Sequence, residues 1–179
     1  MAPILTRLGQ SFGFGSAPAG AAGPDAPTVP PGMVASGGII SDYTEPGGSI
    51  YRSHIFTGSS TFAVDTLSTN PTVPDVIEYL VVAGGGGGGA GFAGAGGAGG
   101  VRTNLSGNPY STSVAFTVAA STNYPVVVGQ GAAGGRYNDF GVPGGNSSFG
   151  SPTQGIITSR GGGHGGGHEN NPMKYGGDG

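Results

Sequence analysis

The chain has no cysteine and no tryptophan, and only 8% of its 179 residues are charged. Without cysteine there is no disulfide scaffold, no thiolate zinc site and no cysteine nucleophile, so stability has to come from packing or assembly. Six basic residues stand against nine acidic ones, for a net charge of −3. No basic patch is then available to neutralise a phosphate backbone, which argues against nucleic acid as a direct partner. No run is long and apolar enough to suggest a membrane span. The opening MAPILTRLGQSFGFG has neither the apolar core nor the cleavage site of a secretory signal. These absences fit a protein made inside a cell and released as part of a particle.

Glycine is what the chain has instead, with 42 glycines and 14 prolines, near the share at which a chain without a strict G-X-Y period reads as irregular. Hydrophobic residues still reach 35% and gather into short Val/Ile/Tyr/Phe runs, enough for a modest core. Residues 1–38 alternate Gly, Ala and Pro with no apolar period of 2 or 3.6, and read as an extended arm. Phe12 and Phe14 on that arm are more costly to leave in water than to dock, at about 1.5–3 kcal/mol each. With Leu8, they are read as anchors on another subunit, the alternative being that they fold back on their own domain.

From Ile39 the pattern becomes strands. Residues 51–57 and 61–65 flank Gly58-Ser59-Ser60 and read as a hairpin. Neither face of residues 51–57 is cleanly polar, which suggests a strand covered on both sides or one touching a partner. Residues 76–83, VIEYLVVA, form the strongest strand signal and are placed centrally in a sheet. Further strands are expected over 100–105, 113–118, 124–128 and 155–159. Short strands between Gly/Pro/Asn/Ser turns, with no helical pattern, predict an all-β domain, an antiparallel sandwich or jelly-roll-like fold over 39–163. A glycine-rich tail, 164–179, follows it.

Three glycine-dense segments, 84–100, 129–145 and 161–179, lie between or beyond these strands. Glycine loses the most backbone entropy on ordering, so such runs order only where missing side chains permit close backbone contact. They are therefore either mobile loops or, the reading favoured here, packed extended strands of polyproline II type whose amides bond between segments.

Two stretches resemble chemistry. Residues 79–89, YLVVAGGGGGG, satisfy G-x-G-x-x-G after a strand, but AGFAGAGGAGG follows where a dinucleotide site needs a helix and then a carboxylate; no cofactor is expected. His164 and His168 are spaced like a metal pair, yet the glycines between them will not form the helix that pair requires. No serine elbow or paired carboxylates accompany them. A looped site of His164, His168 and Glu169 competes with a polar surface loop. Glu78 is expected to face outward or to pair with an arginine such as Arg102. An enzyme, for example a polysaccharide hydrolase, is the least favoured class.

The ordered set Tyr51-Arg52-x-His54-x-Phe56-Thr57-Gly58-x-x-Thr61-Phe62, residues 77–84, residues 99–103, residues 124–135, Gly145-Asn146-Ser147-Ser148-Phe149-Gly150 and residues 156–163 resembles the glycine-rich domain of tailed-bacteriophage virion proteins, over roughly 51–163. The resemblance implies a structural protein of a tail fibre or related appendage, with the capsid-decoration or head-fibre position as the alternative. Other virion proteins and a host surface receptor are then the expected partners. The small core suggests a homo-oligomer, a trimer being the expected form. Pro125 stands where a β-branched residue is usual in such domains, which suggests an edge strand.

Overall fold

A computed structural model describes the backbone of residues 2–8 and, with side chains, residues 32–46, 48, 50–109, 111, 114–137 and 139–167. Eleven strands run in chain order: β1 (Ala2–Leu8), β2 (Val34–Ser36), β3 (Ile39–Thr44), β4 (Ile50–Phe56), β5 (Ser60–Thr66), β6 (Val76–Val82), β7 (Val101–Thr103), β8 (Phe116–Thr117), β9 (Thr122–Val127), β10 (Ser147–Ser151) and β11 (Gly155–Ser159). There is no helix among the described residues, and the ladders pairing these strands are antiparallel. One sheet has the order β3-β4-β1-β6-β7, with β8 also on β6; the other has the order β11-β10-β9-β5-β2. The expected all-β sandwich is the observed architecture.

Alternation decides which side chains meet between the sheets. Along β6, Ile77, Tyr79 and Val81 are buried while Val76, Glu78, Leu80 and Val82 are only half-buried. Across from them the other sheet contributes Phe62, Val64, Tyr124, Val126 and Phe149. Phe116 packs on Phe149 at 4.8 Å and on Tyr124 at 5.8 Å between ring centroids. Such tilted and edge-on ring pairs add about 0.5–1.5 kcal/mol each beyond their area burial. The Tyr124 hydroxyl is satisfied by accepting from the Ala119 amide at 2.7 Å. Beyond the end of β7, the Asn104 side chain accepts from the Tyr79 amide and donates to the Ile77 carbonyl, standing in for backbone that a longer strand would supply.

Three sequence expectations need correction. Strands β4 and β5 exist, but they do not pair as a hairpin: β4 lies between β1 and β3 while β5 lies between β2 and β9. Phe56 and Phe62 are both buried in one core cluster, so residues 57–59 cross from sheet to sheet. Along β4 His54 and Phe56 are buried while Tyr51, Ser53 and Ile55 are half-buried, so one face meets the core and the other is partly covered. The arm read over 1–38 begins instead with β1, inserted between β4 and β6. Pro3 is tolerated within β1 because β1 meets β6 only at Ile4 and Leu5, leaving Pro3 with β4 alone beside it. Likewise Pro125 is not on an edge strand, since β9 lies between β10 and β5. The β10 ladder reaches only Val126 and Val127, so Pro125 faces no bond it would have to donate on that side.

Residues 84–89 leave the end of β6 and become the axis of a second structure. Their bonds repeat every third residue. The amides of Ala83, Gly86 and Gly89 donate to the carbonyls of Gly100, Gly97 and Gly94, and those of Gly84, Gly87 and Ala90 to Gly145, Val142 and Asp139, all at 2.9–3.0 Å. The carbonyls of Gly85 and Gly88 accept from Ala132 and Gly135, and those of Gly84 and Gly87 from Gly162 and Gly165. Three residues per turn with no bonds inside the segment is polyproline II geometry. Four segments, 94–100, 130–135, 139–145 and 161–167, therefore surround a central one. They also bond to each other, as Gly97 to Gly163 and Gly144 to Gly162 at 2.8 Å. Packed extended segments, the reading favoured from the sequence, are what the described residues 84–89, 94–100, 130–135, 139–145 and 161–167 form.

The glycines are needed here for a missing atom. A Cβ on Gly84 would overlap the Gln130 carbonyl oxygen, one on Gly87 that of Ala133 and one on Gly86 that of Gly163. Each lies far inside the 3.0 Å that real Cβ contacts respect. On Gly85 the nearest atom would be 3.6 Å away, an ordinary contact. Gly84→Ala, Gly86→Ala and Gly87→Ala are therefore expected to destabilise by about 3 kcal/mol or more, since backbone cannot move aside as a side chain can. Gly85→Ala is expected to cost under about 1 kcal/mol, and Gly58→Ala, with open space around it, to be neutral or slightly stabilising. Urea unfolding of the five variants checks this; equal losses at 85 and 86 would contradict it.

His54, on β4, is fully buried against Phe62, with ring centroids 5.0 Å apart. Its Nδ1–H donates to the Gly37 carbonyl at 2.8 Å, and its Nε2 has no partner. Burial lowers its pKa below 6.5, the Gly37 bond pulling the other way. The unfolded chain therefore binds a proton at a higher pH than the folded one. Stability is complete above about pH 6.5 and falls by about 1.4 kcal/mol per pH unit as acid approaches the folded value. Thermal melts from pH 7.5 to 5 should show this decline, and His54→Asn, which keeps a donor for Gly37, should flatten it.

Candidate functional site

All five bundle segments start or finish at the ends of β6, β7, β9, β10 and β11, so the opposite end of the bundle stands away from the sandwich. At about 3.1 Å per residue the central segment spans roughly 20 Å. Two tight connections close this far end. The first, residues 90–93, is held by the Gly89 amide on the Gly94 carbonyl at 2.9 Å and turns at Gly91, whose φ of 78° needs a glycine. The second, residues 136–139, is held by the Asp139 amide on the Arg136 carbonyl at 3.2 Å. The Ala90 amide joins the two by donating to the Asp139 carbonyl at 2.9 Å.

Each connection carries one aromatic side chain out of the protein. Phe92 is 98% exposed and Tyr137 96%, whereas no other large hydrophobic residue described exceeds 61%. Leaving rings like these in water forgoes about 1.5–3 kcal/mol each. Tyr137 also sits at φ 50°, a left-handed conformation that costs a non-glycine residue about 1–2 kcal/mol. Beside them Phe140 packs against His164 at 5.3 Å between ring centroids, and the Asp139 carboxylate accepts from the Phe140 amide at 2.9 Å.

The residues singled out by sequence are distributed otherwise. His164 is at this end, its Nδ1 3.2 Å from the Gly165 carbonyl oxygen; His168 and Glu169 lie outside the described residues. Among the described residues no group of three or more His, Asp or Glu is placed to hold a metal ion. The G-x-G-x-x-G amides of Gly84, Gly86, Gly87 and Gly89 are spent on carbonyl oxygens within the bundle, which leaves them no role in cradling a phosphate. Glu78 faces outward on β6, opposite Leu5 of β1, while Arg102 stands opposite Val81. The ion pair described is the exposed Arg52–Asp42 contact at 2.8 Å, worth about 0–1 kcal/mol. Leu8 ends β1, its backbone opposite Ile50; Phe12 and Phe14 lie outside the described residues.

A cleft of about 270 Å³ between β6, β7 and β11 is lined by Tyr79, Arg102, Val114, Ile156, Ile157 and Thr158. It contains no carboxylate or imidazole to serve as an acid or base. No described helix is long and apolar enough to cross a membrane.

Phe92 and Tyr137 escaped the sequence reading, although a signal was present. Phe92, Ala95, Ala98 and Val101 are spaced by three and all exposed, as are Gln130, Ala133 and Arg136. A period of three marks the outward positions of a polyproline II segment.

The chain matches no curated protein and no solved structure. A family model described as a glycine-rich domain matches residues 56–179, from the last residue of β4 through every bundle segment, leaving β1, β2 and β3 outside. This chain belongs to that glycine-rich domain family.

Proposed function

We propose that the protein is a non-enzymatic structural subunit of a tailed-bacteriophage tail appendage, part of the virion, whose bundle end engages a host surface. One observation carries the reading: the two most exposed aromatic side chains among the described residues stand on adjoining connections at the end of the bundle away from the sandwich, in a bundle made almost wholly of backbone. A bundle whose central segment bonds to four neighbours is stiff, and stiffness lets a projecting end hold contact residues in place without ordering cost at binding. The resemblance of residues 51–163 to phage virion glycine-rich domains supplies the setting. Docking to the particle falls to the N-terminal region, with Leu8, Phe12 and Phe14 as its apolar contacts, and self-association as a trimer belongs to the same proposal.

Gold-labelled antibody against the chain should decorate the tails of intact particles, and particles carrying Phe92→Ser with Tyr137→Asn should adsorb to host cells at least ten-fold more slowly while assembling normally. Label on the capsid, or unchanged adsorption, would contradict the proposal.

A further inference from the structure

We infer that one side of the bundle is a docking groove for an extended glycine-rich segment of another protein, which enters as a further member of the bundle. A segment with three residues per turn points its amides and carbonyls in six directions, about 60° apart. Around residues 84–89 four of these are filled, in the order 94–100, 161–167, 139–145 and 130–135. Each of the four bonds to the next: Gly97 to Gly163, Gly144 to Gly162, and Val142 to Ala133. Among the described residues no backbone bond joins 130–135 to 94–100, so the ring is open between them.

The opening is lined by unused backbone groups. The amides of Gly85 and Gly88, half-buried and one turn apart, donate to no described group. On the rim beside them, the carbonyls of Ala132 and Gly135 accept from none. A Cβ on Gly85 or Gly88 would meet nothing nearer than 3.6 Å, and one on Gly131 nothing nearer than the Gly85 carbonyl oxygen at 4.0 Å. None of the three has a left-handed φ, so no described contact within the chain requires glycine there. Close approach of a further backbone would require it. Partly buried amides without acceptors are costly, and a partner's carbonyls would satisfy them.

The occupant has to offer carbonyls at a repeat of about 9 Å, three residues at about 3.1 Å, return amides to the rim, and turn no side chain towards Gly85 or Gly131. Glycine-rich backbone does all of this, whereas proline-rich backbone lacks the amides. The chain's own segments fit less well. The tracts of a second copy are bonded within its own bundle. Residues 9–31 start after Leu8 and end before β2, both at the sandwich end remote from the bundle, since Leu5 lies opposite Glu78 early in β6 and Val34 opposite Thr66 at the end of β5. Residues 168–179 carry side chains at nine of twelve positions.

The test titrates isotopically labelled full-length protein with acetylated octaglycine ending in two lysines, and separately with octaproline carrying the same lysines. Saturable amide shifts at Gly85, Gly88, Gly131 and Gly134 are expected with the glycine peptide alone, together with slower hydrogen exchange at Gly85 and Gly88 once it is bound. Gly131→Ala, whose methyl group has room in the single chain but enters the opening, should leave the urea midpoint unchanged and weaken binding at least ten-fold. Absence of saturable binding, equal binding of octaproline, or binding indifferent to Gly131→Ala overturns the inference. Strong protection of Gly85 and Gly88 in the free protein overturns it too, because the chain would then fill its own opening. The inference goes beyond the proposed function and makes no use of a tail setting, so label on the capsid would remove that setting and leave the groove in place.

Discussion

Carbonyl oxygens stand where Cβ atoms would be, and the rest of the structure depends on that contact. Each segment of the bundle approaches its neighbours so closely that a single methyl group at Gly84, Gly86 or Gly87 has no room. In exchange, amides and carbonyls that glycine runs would otherwise leave to water are bonded to one another at 2.8–3.2 Å. Glycine's large entropy loss on ordering is opposed in the central segment by four bonds per turn to four separate neighbours, a density that a lone extended segment cannot reach. The interior of this part of the molecule is therefore hydrogen-bonded backbone, and the apolar side chains are free to be concentrated elsewhere.

They are concentrated in the sandwich, which in turn makes the bundle possible. Five extended segments have to be brought together before any of them gains a bond. The strand ends do this: β6 delivers the central segment, while β7, β9, β10 and β11 fix the starts or finishes of those around it. The aromatic cluster of Phe62, Tyr79, Phe116, Tyr124 and Phe149 holds those strands in register. A small core thus supports a second structure that contributes almost no side-chain burial of its own. That division explains how a chain with 42 glycines holds an ordered projection, and why the side chains that emerge from it are few and conspicuous.

Much of the sandwich was legible because its strands carry period-2 or continuous β-branched runs, as in VIEYLVV of β6. Pairing partners were not, since alternation says which face a residue takes and nothing of which strand lies beside it; β4 and β5 looked like a hairpin for that reason. β1 was missed because residues 1–38 were read together as one Gly/Ala/Pro-rich arm, and β10 because the serines at positions 147, 148 and 151 give no apolar alternation, although Ser147 and Ser151 are buried. Packed polyproline II segments were foreseen as one of two states from glycine density alone. Their faces were not, because apolar periods of 2 and 3.6 were sought where the spacing of Phe92, Ala95, Ala98 and Val101 is 3. Phe92 lay on that period and Tyr137 followed its last member, Arg136, by one residue, while His164, His168 and Glu169 drew notice only because they are the usual carriers of chemistry.

Amide hydrogen exchange along residues 84–89 tests the central claim most directly. Gly84, Gly86, Gly87 and Gly89 donate within the bundle whereas Gly85 and Gly88 do not, so the first four amides should be strongly protected and the other two should exchange much faster. Exchange of all six within seconds, or protection that ignores the period of three, would contradict a bundle held together by its backbone.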